Sequence, residues 1–183
     1  MKQGKQQDKK KGESNFDLAY PVIILTVICI IVSGLLAFTN SATAPKIEAA
    51  IKKAAEETRL ELLPEASEFT EIECAVENVK SVFKDAGGSG YVITAAGKGY
   101  KGPVLVTVGV KPDGTVIGIK VDSSVETANV GTRVSLPEFT DRFKGLKENA
   151  DAIDVLAGAT YSSRAVKSAV NSALAALDAV KEG

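Results

Sequence analysis

The sequence predicts an α+β protein: one N-terminal transmembrane helix, then an extracytoplasmic domain with a twisted antiparallel sheet and flanking helices. Three observations carry this. No charged residue falls between Leu18 and Pro45, a run dominated by Val, Ile, Leu and Ala. Short segments between residues 79 and 122 alternate apolar and polar positions, the mark of half-buried antiparallel strands. The chain then closes on Val166, Ala169, Val170, Ala173, Leu174, Leu177 and Val180, a stripe at helical spacing.

Taken in order, residues 1–17 form a Lys/Gln/Gly-rich tail read as a disordered, cytoplasmic segment. Residues 18–40 are the transmembrane helix, since about 20 apolar residues at about 1.5 Å each cross a hydrocarbon core roughly 30 Å thick. Lys2, Lys5, Lys9, Lys10 and Lys11 precede it, which places the N-terminus in the cytoplasm and the C-terminal domain outside the cytoplasmic membrane. A cleaved signal peptide is the competing reading, because Ala42-Thr43-Ala44 has small residues at cleavage-site spacing, although the apolar run exceeds the usual h-region. Residues 41–65 read as a stalk helix, with Pro45 in its first turn, an apolar stripe from Ile47 through Leu62, and Pro64 as its stop.

Candidate strands follow at Val79–Lys84, Gly90–Ala95, Val104–Val110 and Thr115–Asp122. Lys111-Pro112-Asp113-Gly114 supplies a hairpin turn between the last two, with Pro presetting φ and Gly supplying a positive one. Helices are expected against one face of the sheet. Ser162 or Ser163 is the expected N-cap of the closing helix.

Composition excludes several functions. Among 183 residues there is no histidine and no tryptophan, which removes a Ser-His-Asp triad and histidine-held haem and handicaps zinc; no metal site is expected. The net charge of −1 provides no field for nucleic acid. Cys29 lies in the apolar run and Cys74 in the polar body, so no internal disulfide is expected. Redox work with this alphabet requires a borrowed cofactor.

The most telling stretch is Asp154-Val155-Leu156-Ala157-Gly158-Ala159-Thr160, opening into Tyr161-Ser162-Ser163-Arg164. Thr160 stands a few residues before a helix begins, near unpaired N–H groups and the positive end of a helix dipole, a place that welcomes phosphate. The bland alternative is a loop and cap before an amphipathic helix.

Asp154, Gly158, Ala159 and Thr160 resemble the acceptor motif Asp-x-x-(Ser/Thr)-Gly-Ala-Thr of the FMN-binding domain family, from which Ala157 departs. Gly99-Tyr100-Lys101-Gly102 is similar to that family's Gly-Tyr-x-Gly turn, and Glu126-Thr127-Ala128-Asn129-Val130-Gly131 to its Glu-Thr-Pro-Gly-Leu-Gly loop, with Ala128, Asn129 and Val130 departing. The loss of Pro and Gly there is expected to alter the loop's stiffness. The single-span layout is similar to the G subunits of Rnf-type ion-translocating oxidoreductases, and to the C subunit of Na⁺-translocating NADH:quinone reductase.

The resemblance implies that residues 66–183 are an FMN-binding domain and that a flavin transferase joins FMN to Thr160 through a phosphoester. It implies an electron carrier whose partners are the other membrane subunits of an Rnf-type complex, with no catalytic group beyond the flavin. Gly158 and Ala159 would let backbone approach the phosphate and Ser162 and Ser163 would hydrogen-bond it; Arg164 would neutralise it or face solvent. Asp154 would serve transferase recognition or loop shape, or cap its own turn. Gly99, Tyr100, Glu126 and Thr127 would shape the ring pocket, with Tyr161 either stacking on the ring or packing in the core. A cofactor-free anchored binding module and a stand-alone flavin reductase are the alternatives.

Overall fold

The uncharged run beginning at Leu18 is helical throughout in the computed structural model, which describes residues 14–182. It belongs to α1, Ser14–Leu62, and the chain's two compact units divide inside that helix, between Lys53 and Ala54. In the first unit the side chains from Ala19 onward are exposed. The helix is long and apolar enough to cross a membrane. Three of its threonine hydroxyls are satisfied within the helix: Thr26 donates to the Val22 carbonyl, Thr39 to Leu35 and Thr43 to Thr39, each at 2.8 Å. Such back-bonding is what an apolar medium without water demands.

Two expectations change here. Of the basic tail expected over 1–17, residues 1–13 lie outside the described residues, and Ser14–Asp17 already belong to α1. Pro45 does not open a separate helix but sits inside α1. The missing N–H removes one bond from a ladder that helix-compatible residues continue on both sides.

The second unit carries the sheet. Its strands are β1 Phe69–Ile72, β2 Val79–Asp85, β3 Tyr91–Lys98, β4 Pro103–Val110 and β5 Val116–Asp122. They pair in chain order, each antiparallel to the next. A short helix α2, Pro137–Thr140, and the long α3, Thr160–Glu182, complete the unit. The four expected strands are present, and the turn between β4 and β5 forms as its residues dictate. Gly114 takes φ +90°, and the Asp113 carboxylate accepts the Thr115 N–H at 2.9 Å.

Alternation assigns each strand residue to a layer. Ile93, Ala95, Val104, Val106 and Val108 face α3, whose Val166, Ala169, Val170 and Ala173 complete a buried core. Gly97 allows the closest approach: a Cβ there would lie 1.9 Å from the Ala165 carbonyl oxygen. The opposite face is covered as well. Leu62, Leu63 and Ala66 pack on Val92, with Phe69, Phe83 and Ile117 beside them, and the Arg59 guanidinium lies 3.8 Å from the Phe83 ring centre. Helical cover on one face only is therefore corrected to cover on both, because Val92 of β3 with Phe69, Phe83 and Ile117 of β1, β2 and β5 makes an apolar patch that buries the end of α1.

Cys29 and Cys74 are both free.

Candidate functional site

The site sits where β3, the loop after β5 and the start of α3 converge. β3 ends in a turn closed by the Gly99 N–H on the Gly102 carbonyl at 3.0 Å, and this turn carries Tyr100 outward, 69% exposed. The loop after β5 is wound around one acceptor: the Thr127 carbonyl takes the N–H groups of Val130, Gly131 and Thr132. Asn129 stands there with φ +59° and gives its N–H to Thr132 Oγ1 at 3.0 Å. These bonds brace the loop where the family pattern has Pro and Gly. Asparagine is the side chain that best tolerates the left-handed region, and the shared Thr127 acceptor does the bracing.

Before α3 the chain makes one further turn. Ala159 N–H bonds the Leu156 carbonyl at 3.0 Å, and Gly158 has φ +81°, the geometry of a type II turn with glycine at its third position. Three cations hold this approach by its backbone. Arg133 donates to the Ala157 carbonyl at 3.4 Å, Arg142 to that of Asp154 at 3.4 Å, and Lys167 to those of Asp151 and Ile153 at 3.0 and 2.8 Å. None of the three stands out in the sequence, where they lie far from the residues they hold. The Asp154 side chain itself is exposed and makes no bond to its own turn, which removes the capping alternative.

α3 begins at Thr160, three residues earlier than a cap at Ser162 requires and four earlier than one at Ser163. Both serines are instead inside its first turn and buried. Ser163 accepts the Leu156 N–H at 3.1 Å, so it braces the loop and does not face the cleft. Ser162 donates to Glu126 Oε2 at 2.5 Å. Glu126 Oε1 accepts the Lys101 N–H at 3.1 Å, so one carboxylate ties together all three segments. Burial pushes the Glu126 carboxyl up, but the Ser162 hydroxyl and the N–H groups of Lys101, Tyr100 and Gly102 more than offset it. The group stays below the ordinary carboxylate range.

Gly99 and Gly131, the two glycines flanking that carboxylate, are required by it. A Cβ at Gly99 would lie 2.5 Å from Glu126 Oε1, and one at Gly131 would lie 2.7 Å from Oε2. Their role is to make room for Glu126.

Above the bridge is a recess of about 240 Å³ lined by Tyr100, Glu126, Thr127, Val130, Gly131, Gly158, Ala159, Tyr161 and Ser162. Tyr161 is 64% exposed, which decides against packing in the core, and its ring centre lies 6.0 Å from that of Tyr100 at 50°. Thr160 falls between the lining residues Ala159 and Tyr161 without itself lining the recess, and is partly exposed. Its hydroxyl bonds no other described group, and no buried side-chain oxygen among the described residues lacks a partner, so it reaches solvent. Arg164 is exposed one turn further along α3. The structure therefore gathers Tyr100, Glu126, Thr127, Gly158, Ala159, Tyr161 and Ser162 into one place, with Thr160 next to them in the chain, and leaves Ser163 and Gly99 out of the lining. No group of side chains able to hold a metal ion occurs among the described residues.

Residues 99–175 match the family model of the FMN-binding domain, and residues 21–62 that of the RnfG N-terminal region; together they account for well over half of the chain. The chain is similar to the G subunit of the ion-translocating oxidoreductase complex of Methanosarcina acetivorans, 28% identical over 84% of this chain and 90% of the relative. It is similar to the G subunit of the Na⁺-translocating ferredoxin:NAD⁺ oxidoreductase complex of Acetobacterium woodii, 28% identical over 90% and 94%. The G subunit of the proton-translocating ferredoxin:NAD⁺ oxidoreductase complex of Clostridium ljungdahlii is 29% identical over 82% and 86%. Among solved structures, the C subunit of Na⁺-translocating NADH-quinone reductase from Parabacteroides distasonis is similar at 24% identity and a TM-score of 0.44, over 54% of this chain and 59% of that one.

Proposed function

From a chain that matches an FMN-binding domain and an RnfG N-terminal region, we infer a G subunit of the Rnf kind: a single-pass, membrane-anchored electron carrier with FMN bound covalently at Thr160. Its partners are the other subunits of an ion-translocating ferredoxin:NAD⁺ oxidoreductase complex, the kind of assembly that the relatives' names describe. The proposed partition is a cytoplasmic tail over 1–17, a span over 18–40, a stalk over 41–65 and an FMN-binding domain over 66–183. The N-terminus lies inside the cytoplasmic membrane and the domain outside.

One observation carries this reading: an unbonded, solvent-reaching threonine hydroxyl at the first position of a 23-residue helix. The residues present fit a flavin phosphate there. The first N–H groups of a helix lack intrahelical acceptors and favour an anion. The type II turn with glycine keeps side chains away from the approach to Thr160, since a Cβ at Gly158 would meet nothing within 4 Å. Beside the hydroxyl, the recess offers Tyr100, Tyr161 and Val130 as apolar walls for a flat ring.

Attachment requires transfer of the flavin phosphoryl group from an activated phosphoanhydride donor brought by a flavin transferase. A P–O bond to the donor's leaving group breaks, a P–Oγ1 bond to Thr160 forms, and the hydroxyl proton leaves. Asp154, exposed and without a side-chain partner, is the group we assign to transferase recognition. FMN then supplies the redox chemistry that the chain's own side chains lack. The protein's part would be to anchor the phosphate at Thr160 and to offer the exposed Tyr100 and Tyr161 rings as apolar surface for the flavin.

Expressing the full chain with and without a flavin transferase, then viewing the denatured protein on a gel under ultraviolet light, tests the reading. Fluorescence is expected only with the transferase, and is expected to vanish in Thr160→Ala. A dark wild-type band under both conditions would sink the flavin assignment, and a bright Thr160→Ala band would move the anchor elsewhere.

A further inference from the structure

Thr160 and Ser162 are two residues apart on α3, about 200° around a helix that turns 100° per residue. Whatever holds Ser162 inward therefore turns Thr160 outward. What holds it is Glu126, through a 2.5 Å hydrogen bond at a position 36 residues away in sequence. Resting on the acceptor reading above, we propose that Glu126 is a positioning residue for flavin attachment: by gripping the Ser162 hydroxyl it sets the first turn of α3 so that Thr160 Oγ1 faces the incoming phosphoryl group.

Several features set Glu126 apart from an ordinary buried carboxylate. Its partners are all neutral, a hydroxyl and backbone N–H groups; no cation pairs with it among the described residues. Such a carboxylate accepts without donating, so it orients the Ser162 proton in one direction only. Its surroundings leave it no second position, because Gly99 and Gly131 close on its two oxygens with space for a hydrogen atom where any other residue has a carbon. The neighbouring Ser163 anchors the same turn to the loop through the Leu156 N–H. Two hydroxyls on adjacent residues thus fix the rotation of the helix start, one from below through Glu126 and one from the side.

The consequence is kinetic. Phosphoryl transfer depends on placing the attacking oxygen in line with the donor, and small displacements of a reacting atom cost large factors in rate. Asp154 and the backbone before Thr160, which present themselves to the transferase, do not depend on Ser162. Releasing the grip is therefore expected to lower kcat for flavin attachment with the KM for the protein acceptor unchanged.

The test uses the full chain, unloaded, with purified transferase and an activated flavin donor, and compares the wild type with Ser162→Ala, Glu126→Gln and Asp85→Asn. Asp85 holds a distant corner and serves as a control for lost stability. The expected result is that Ser162→Ala and Glu126→Gln load roughly tenfold or more slowly at unchanged KM, while Asp85→Asn loads normally. Hydrogen exchange on unloaded protein is expected to show faster exchange at Ser163, whose N–H bonds the Ala159 carbonyl at 2.8 Å, in the first two variants, with the sheet amides unchanged. Loading of Ser162→Ala at the wild-type rate would overturn the proposal, as would slow loading that merely tracks the unfolded fraction or unaltered exchange in the first turn. A wild type that never loads would remove the acceptor reading itself, and this inference with it.

Discussion

Two buried carboxylates stand at opposite ends of β3, and they do different work. At the Tyr91 end, Asp85 accepts the Ser67 N–H at 3.3 Å and the Ser89 N–H at 2.9 Å, closing the turn between β2 and β3. At the Lys98 end, Glu126 accepts from Lys101 and Ser162. Both are at most 5% exposed, neither has a cationic partner, and hydrogen bonds hold both below the ordinary carboxylate range. The difference lies in what each one grips. Asp85 holds backbone on both sides, so it fixes a corner and nothing more. Glu126 holds a side chain on a helix whose adjoining turn presents a free hydroxyl. Burial and a depressed pKa do not mark a functional site; the exposed, unpartnered group next to one does.

The largest effect expected from breaking either end is at the corner. Asp85→Ala removes the buried acceptor that ties the Ser67 and Ser89 N–H groups together across a largely exposed turn, and the thermal midpoint of the domain should fall by roughly 5 °C. Flavin loading at 25 °C should be unchanged, and a parallel melt and fluorescent gel check both halves.

Acid should reveal the same corner. The Asp85 pKa is lowered to about 2, first by the Ser89 N–H and hydroxyl, with smaller help from Gly87 and Ser67. A folded-state pKa below the unfolded value of about 3.9 means stability that is present above that value and lost as pH falls toward about 2. Denaturant melts between pH 6 and pH 2 should show wild-type stability falling with acid, with a shallower fall in Asp85→Asn. Equal slopes would show that the corner does not titrate as the geometry implies. Glu126 contributes in the same direction, so a residual slope is expected in that variant.

At the other end the stability effect is smaller and the functional effect larger. Ser162→Ala leaves Glu126 with its backbone N–H bonds and should cost about 1 kcal/mol by urea melt. The smallest effects belong to the loop beneath the recess. Asn129→Gly should stay within about 0.5 kcal/mol of wild type, whereas Asn129→Ala should cost about 1 kcal/mol, since alanine resists the left-handed region that asparagine accepts.

The same contrast explains what can be read before any coordinates. β2 to β5 announce themselves because Val104, Val106, Val108 and Val110 alternate with smaller or polar residues, and α3 because its apolar stripe is regular. β1 escapes such a reading: Phe69–Ile72 is four residues long and set among Glu65, Glu68, Glu71 and Glu73, too short for alternation to register. The turn before Thr160 is legible because Gly158 and a helix start are local signals. Ser162 and Ser163 pass for caps because their hydroxyls look alike in sequence. Only the fold shows one reaching Glu126 and the other Leu156. Arg133, Arg142 and Lys167 act on backbone carbonyls 12 or more residues away, through contacts with no local signature. Tyr161 takes a side only once it is known which face of α3 meets the sheet.

Mass spectrometry of the protein isolated from its native membrane tests the central claim most directly. Digestion should yield a peptide containing Thr160 that is heavier by one esterified FMN, with fragmentation placing the added mass on that residue. The same peptide recovered wholly unmodified, or with its flavin on another residue, would contradict the account.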